Sequence, residues 1–264
     1  MDGHNPFTPP TAAVGMPNRP ETFDNARFNP EGRSVPAGRG GAWFKAGWQI
    51  FKAQPLMFWV ALIVMFIAIA IVSLIPLVNL LTMVATPALV AGFGVCARSV
   101  QRTGKFELGQ VFDGFRTRLG TQLLAGLLYL VAVAIGLGVL AVAFGATGLL
   151  SMLTGGMRGQ EAAATAMGAM GGVFFLAYFV VMLGVGSTII FAPYIIQETQ
   201  LSAPQAMVAS IKGSFKNVPA FLVGMLVYIA LAIVASIPLF LGWLVLIPVL
   251  FLSIFVAYSE IFYD

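Results

Sequence analysis

Residues 53–97 read AQPLMFWVALIVMFIAIAIVSLIPLVNLLTMVATPALVAGFGVCA, 45 positions without an Asp, Glu, Lys or Arg, bounded by Lys52 and Arg98. A helix needs about 20 apolar residues to cross the hydrocarbon of a bilayer, so this window is read as two crossings joined by a turn. The turn is Leu74-Ile75-Pro76-Leu77, where a proline without an N–H breaks the helix. The window from Lys216 to Glu260 repeats the plan over 43 residues, with Ser236-Ile237-Pro238-Leu239 as its turn. Windows of 39 and 36 residues, Arg118 to Arg158 and Glu161 to Glu198, each supply one more span, at about 119–143 and 173–196. Between them Phe144 to Gly172 is rich in Gly, Ala and Met, and is expected to be a partly helical loop near the outer surface. The expected fold is all-α: a polytopic membrane bundle of six spans.

Composition points the same way. Of 264 residues 59% are hydrophobic and 9% charged, with a mean hydropathy of +0.93. Too little polar side chain remains to cover a water-soluble globule, which excludes a soluble enzyme. Cys96 is alone, so no intrachain disulfide forms, and the one histidine, His4, lies outside the apolar body.

Orientation follows from the basic residues. Lys45, Lys52, Arg98, Arg102, Lys105, Arg116, Arg118, Lys212 and Lys216 all fall on one side of a six-span chain, and Arg158 alone on the other. By the positive-inside rule both termini are expected in the cytoplasm. Residues 1–41 hold seven prolines and balanced charge and are expected to be a disordered cytoplasmic tail. The tail is read as a passive solvated extension, or more sharply as a docking peptide through Phe7, Phe23 and Phe28. No basic, apolar leader precedes Ala42, so the first span is expected to act as an uncleaved insertion signal.

The body, 42–264, carries an internal likeness. Phe51-Lys52-Ala53-Gln54-Pro55 returns as Phe215-Lys216-Asn217-Val218-Pro219, and each copy is followed by a span, an Ile-Pro-Leu turn and a second span containing Pro87 or Pro248. Val111 to Arg116 is a weaker third copy, giving parallel units at 42–100, 107–198 and 202–260. Each unit is expected to open with an interfacial amphipathic helix. The apolar stripes are Trp43, Phe44, Gly47, Trp48 and Phe51; Leu108, Val111, Phe112 and Phe115; and Met207, Val208, Ile211 and Phe215. Ser202 and Gln205 are placed as a capping box.

The chemistry that is missing shapes the functional reading. No acid, lysine, arginine or histidine falls at mid-span, where coupled transport or proton relay would need one. No catalytic set, metal-ligand cluster, cofactor loop or nucleic-acid motif is present, so the chain is expected not to be an enzyme. Glu198 and Glu260 mark the cytoplasmic ends of the fourth and sixth spans. The alternative pairs them with Lys212, Lys216 or Arg98 in a ring closing the bundle. Gly136-Leu137-Gly138 and Gly184-Val185-Gly186 are read as helix-packing contacts or flexible points.

The run Gly40 to Lys52, Phe112-Asp113-Gly114-Phe115, Ser210 to Asn217 and Ala257 to Phe262 resemble a family of uncharacterised bacterial six-pass inner-membrane proteins, over about residues 38–264. The hairpin pattern is more loosely similar to the membrane domain of some glycerophosphodiester phosphodiesterases, whose catalytic domain this sequence lacks. The resemblance implies an inner-membrane location and brings no site residues. The leading expectation is a non-catalytic accessory or scaffold protein, with the nine basic residues above contacting anionic lipid headgroups. The alternative is an uncoupled permease, channel or lipid transporter with a path lined by Gln122, Tyr129, Thr188 or Tyr228. Membrane lipids are the expected partners, with a membrane-protein partner or a second copy meeting Gly136, Gly184 or Gly224 as a further option.

Overall fold

A computed structural model describes residues 27–73, 79–154, 160–239 and 241–263, without the side chains of 72–81 and 146–170. The chain runs through α1 (Arg39–Ala53), α2 (Pro55–Ser73) and α3 (Asn79–Thr103). A 3-10 turn (Leu108–Phe112) and the short α4 (Asp113–Arg116) lead into α5 (Leu119–Thr154) and α6 (Gln160–Ile189). The chain ends with α7 (Ala192–Glu198), α8 (Ala203–Lys216), α9 (Val218–Ser236) and α10 (Trp243–Phe262). Among the described residues there is no strand, only one antiparallel bridge between Phe28 and Tyr263.

Five helical stretches are long and apolar enough to cross a membrane: Thr82–Thr103, Leu119–Gly145, Gly171–Glu198, Val218–Ser236 and Trp243–Phe262. A sixth is reached only if α1 and α2, bent by 96°, count together. The expected turn at 74–77 lies outside the described residues. Its counterpart is present after α9, where the Leu241 N–H bonds the Pro238 carbonyl at 3.0 Å and the Trp243 indole bonds Ser236 Oγ at 3.0 Å.

The centre of the bundle is α3 and α10, each with 56% of its span buried. Lipid tails compete equally for apolar side chains, so close backbone approach at small residues has to hold these helices together. A β-carbon on Gly40 would overlap the Ala220 carbonyl of α9, and one on Gly126 the Val84 carbonyl of α3. Gly224 faces Gly40, and Gly136 of α5 packs on Val181 and Val185 of α6, so both serve contacts within the chain. Gly138, Gly184 and Gly186 meet nothing within 4 Å, unlike the packing role read for them from the sequence.

Four sequence expectations change. The segment 144–172, expected to be a partly helical loop, is helical at 144–154 and 160–172, since α5 continues to Thr154 and α6 starts at Gln160. Ala, Met, Gln and Glu are strong helix formers, and together they outweigh glycines that cost about 1 kcal/mol each. The middle unit opens with a five-residue 3-10 turn and a four-residue helix rather than an amphipathic helix. In α8 the buried face keeps Met207 of the expected stripe but is otherwise built of small residues, Ala203, Ala206, Ala209, Ser210, Gly213 and Ser214, which let the helix sit close against α6 and α7. Val208 and Phe215 of the expected stripe are 49% and 61% exposed. Finally, residues 27–38, read as part of a disordered tail, form an ordered strap. Its backbone pairs with the end of α10: Asn29 N–H to the Phe262 carbonyl and Arg33 N–H to the Ile261 carbonyl, each 2.8 Å. Gly32, at φ +61°, turns the strap against Gly213, a backbone that favours glycine.

Candidate functional site at the basic end of the bundle

The ends of α1, α3, α7, α8 and α10 meet where the basic residues collect. Glu198, closing α7, faces Arg98 of α3 in an ion pair whose side chains are 15% and 14% exposed. The same carboxylate oxygen accepts the hydroxyls of Tyr258 and Tyr263, both at 2.9 Å. The Arg98 guanidinium lies 5.6 Å from the Phe255 ring centre and 5.5 Å from that of Tyr263. A partly buried carboxylate with three donors on one oxygen is a fixed acceptor, and its loss would strand a cation among aromatic rings.

Glu260 of α10 is the second anchor. Arg39 bridges it at 2.6 Å and the buried Trp43 indole donates to it at 2.8 Å, while Arg33 reaches its backbone carbonyl. Of the partners weighed from the sequence, Arg98 is the one found, on Glu198. Glu260 takes Arg39 instead, a residue assigned to the tail.

Arg118 joins the middle helices. Its guanidinium donates to the carbonyls of Thr199 and Leu201 at 2.7 Å each and to Gln200 Oε1 at 2.9 Å. It does so from φ +46°, a conformation costing a non-glycine residue about 1–3 kcal/mol unless its surroundings hold it. Lys212 bonds Glu31 at 2.6 Å, and Lys216 donates to the carbonyls of Glu31 and Gly32 at 2.9 and 3.1 Å. The fully buried Asn217 accepts the Val35 N–H at 2.7 Å and donates to the Arg33 and Gly213 carbonyls at 2.9 and 2.8 Å.

The nine basic candidates therefore divide. Arg98, Arg118, Lys212 and Lys216 bind protein groups. Lys45, Lys52, Arg102, Lys105 and Arg116 are exposed. Arg116 lies 3.6 Å from Asp113, and Lys52 lies 5.8 Å from the centre of the Trp48 ring. Among the described residues Lys45 and Lys105 make no ion pair.

The four candidate path residues lie on α5, α6 and α9. Gln122 is fully buried and donates to the Pro193 carbonyl at 3.0 Å. Thr188 bonds the Val185 carbonyl of its own helix at 2.7 Å, and Tyr228 meets Trp243 edge-on at 6.4 Å. Tyr129 is half-buried against the core. A surface pocket of about 380 Å³ lies between the strap and α8, lined by Pro30, Glu31, Leu201, Val208 and Lys212 among others, and none of the four borders it.

The strap and Asn217 were not singled out from the sequence. The available signal was weak: one asparagine following a Phe-Lys pair, and Glu31 and Arg39 among cancelling tail charges. Comparison with known proteins finds no matching family model, no matching curated protein and no matching solved structure.

Proposed function

We propose that this chain is a non-catalytic accessory or scaffold protein of the bacterial inner membrane whose basic end contacts anionic lipid. In the bent pair of α1 and α2 we read α2, roughly 28 Å long at about 1.5 Å per residue, as the part that crosses and so as the sixth span. With six spans the basic ends face the cytoplasm, together with both termini. The resemblance to six-pass inner-membrane proteins and the two Phe-Lys elbows as duplicated units belong to the same reading. The observation that carries it is the exposed cationic remainder at the basic end: Lys45, Lys52, Lys105 and Arg116 face outward beside the ends of apolar helices. Each basic side chain near an anionic bilayer surface contributes about 1 kcal/mol. The test is electron spin resonance of spin-labelled lipids around the full chain reconstituted in vesicles. Labelled phosphatidylglycerol is expected to associate several-fold more strongly than phosphatidylcholine. Replacing Lys45, Lys52, Lys105 and Arg116 by Gln together should bring the two near parity. Equal association of both lipids with the unmodified protein would sink the proposal.

A further inference from the structure

The outward face of α1 holds Lys45, Trp48, Gln49 and Lys52, while Trp43, Phe44, Ile50 and Phe51 are buried. Trp48 is 40% exposed, a large aromatic turned away from the core with an ammonium beside it. Two residues after Lys52 the chain bends into α2, and the Gln54 amide donates to the Gly104 carbonyl at 3.0 Å. That bond fixes the end of α3 against the bend. Phe106 strengthens the junction by meeting Phe58 edge-on at 5.0 Å. Lys105, between Gly104 and Phe106, is therefore held beside the elbow, so Lys52 and Lys105 reach it from two separate segments. Both are exposed and neither is ion-paired among the described residues. The nearby carboxylate of Glu107 accepts Gln110 at 3.0 Å.

Below the elbow α2 turns Leu56, Trp59, Ile63 and Ile67 outward at helical spacing, 63%, 39%, 56% and 53% exposed. A two-lysine, one-tryptophan cluster thus stands at the head of an apolar stripe. Interfacial tryptophan prefers this depth, where its ring meets the glycerol region. The second elbow shows what such a lysine does when oxygens are within reach: Lys216 binds two carbonyls of the strap. At the first elbow no oxygen among the described residues bonds Lys52.

We propose that the α1–α2 elbow binds one anionic phospholipid. Lys52 and Lys105 take its phosphate oxygens, Trp48 packs against its glycerol region, and its acyl chains follow the Leu56–Ile67 stripe. The proposal rests on the anionic-lipid reading above and narrows it to one place. An apolar stripe continuous with the cations selects a lipid phosphate over a soluble one.

The experiment compares two charge-matched variants of the full chain in the same spin-label measurement. Lys52→Gln with Lys105→Gln is expected to lower the relative association of phosphatidylglycerol by about five-fold or more. Lys45→Gln with Arg116→Gln should lower it as well but by less, about two-fold, because Lys45 stands roughly 10 Å along the helix from Lys52 and Arg116 already lies 3.6 Å from Asp113. These side chains are exposed, and unchanged melting of both variants checks that folding is intact. Equal losses in the two variants would overturn the elbow site and leave the general reading standing. No preference in the unmodified protein would overturn both.

Discussion

The two Phe-Lys elbows share a motif and put it to opposite use. In each, a helix ends at or one residue past Phe-Lys, one polar residue caps it, and a proline lies at the start of the next helix. Phe51 is 3% exposed at the first elbow and Phe215 is 61% exposed at the second. Gln54 makes one bond at the surface, whereas Asn217 is buried and makes three. Lys52 faces outward over an indole, and Lys216 is held by the strap. The motif sets the turn, and the segment lying beside it decides whether the lysine is kept or offered. In this molecule that segment is the strap.

The largest expected effect tests how each incoming helix is seated. A side chain at Gly40 would strike backbone atoms of α9, whereas one at Gly213 meets side chains, the Phe262 ring and Ile261. Gly40→Ala is expected to destabilise by about 3 kcal/mol and Gly213→Ala by about 1–2 kcal/mol, read from thermal unfolding in detergent. A larger loss at Gly213 would break the asymmetry.

The cap residues come next. Asn217→Ala strands the Val35 N–H and two carbonyls and is expected to cost about 2–3 kcal/mol, against about 0.5–1 kcal/mol for Gln54→Ala. Unfolding in mixed micelles of rising denaturing-detergent fraction measures both, and equal costs would erase the distinction between the elbows.

A smaller effect follows from pH. The hydrogen bond from Lys212 holds the Glu31 carboxyl below its ordinary 4.5, with the Lys212 and Lys216 charges adding to it. The docked strap therefore favours the ionised form. That stabilisation is present above the ordinary carboxyl range and is lost as pH falls through the lowered value. Hydrogen exchange of amides 28–35, corrected for intrinsic rates, should quicken at acid pH, and Glu31→Gln should quicken it at neutral pH. Amides around Gln54 should not respond. The smallest change is expected at Trp48→Phe, within about 0.5 kcal/mol in stability because the ring is partly outside the core. Trp43→Phe, which removes a buried donor from Glu260, should cost about 1–2 kcal/mol in the same melting experiment.

The charge-free windows made the apolar helices legible, because a bilayer imposes length and composition together. Pro55 and Pro219 likewise marked the elbows, since a missing N–H is a local fact. The strap escaped because its local support is short turns at Asn29 and Pro36, and the rest of its order comes from Asn217, Lys216 and the Ile261 and Phe262 carbonyls, far away in the chain. The buried side of α8 escaped for another reason. Hydrophobic periodicity finds the face that avoids water, whereas tight helix packing selects Ala206, Ser210 and Gly213. At the basic end, the positive residues were all visible, but which were already bound to protein depended on contacts such as Arg118 with Leu201.

The bridge between Phe28 and Tyr263 has a consequence in time. The 235 positions separating them take about 10–50 s to translate at about 5–20 residues per second. Until the last helix has been made, the strap can meet only Lys212, Lys216 and Asn217, and the Ile261 and Phe262 carbonyls that pair with its backbone do not exist. A chain still being made thus holds half of the strap's seat, and the finished one closes it from both sides.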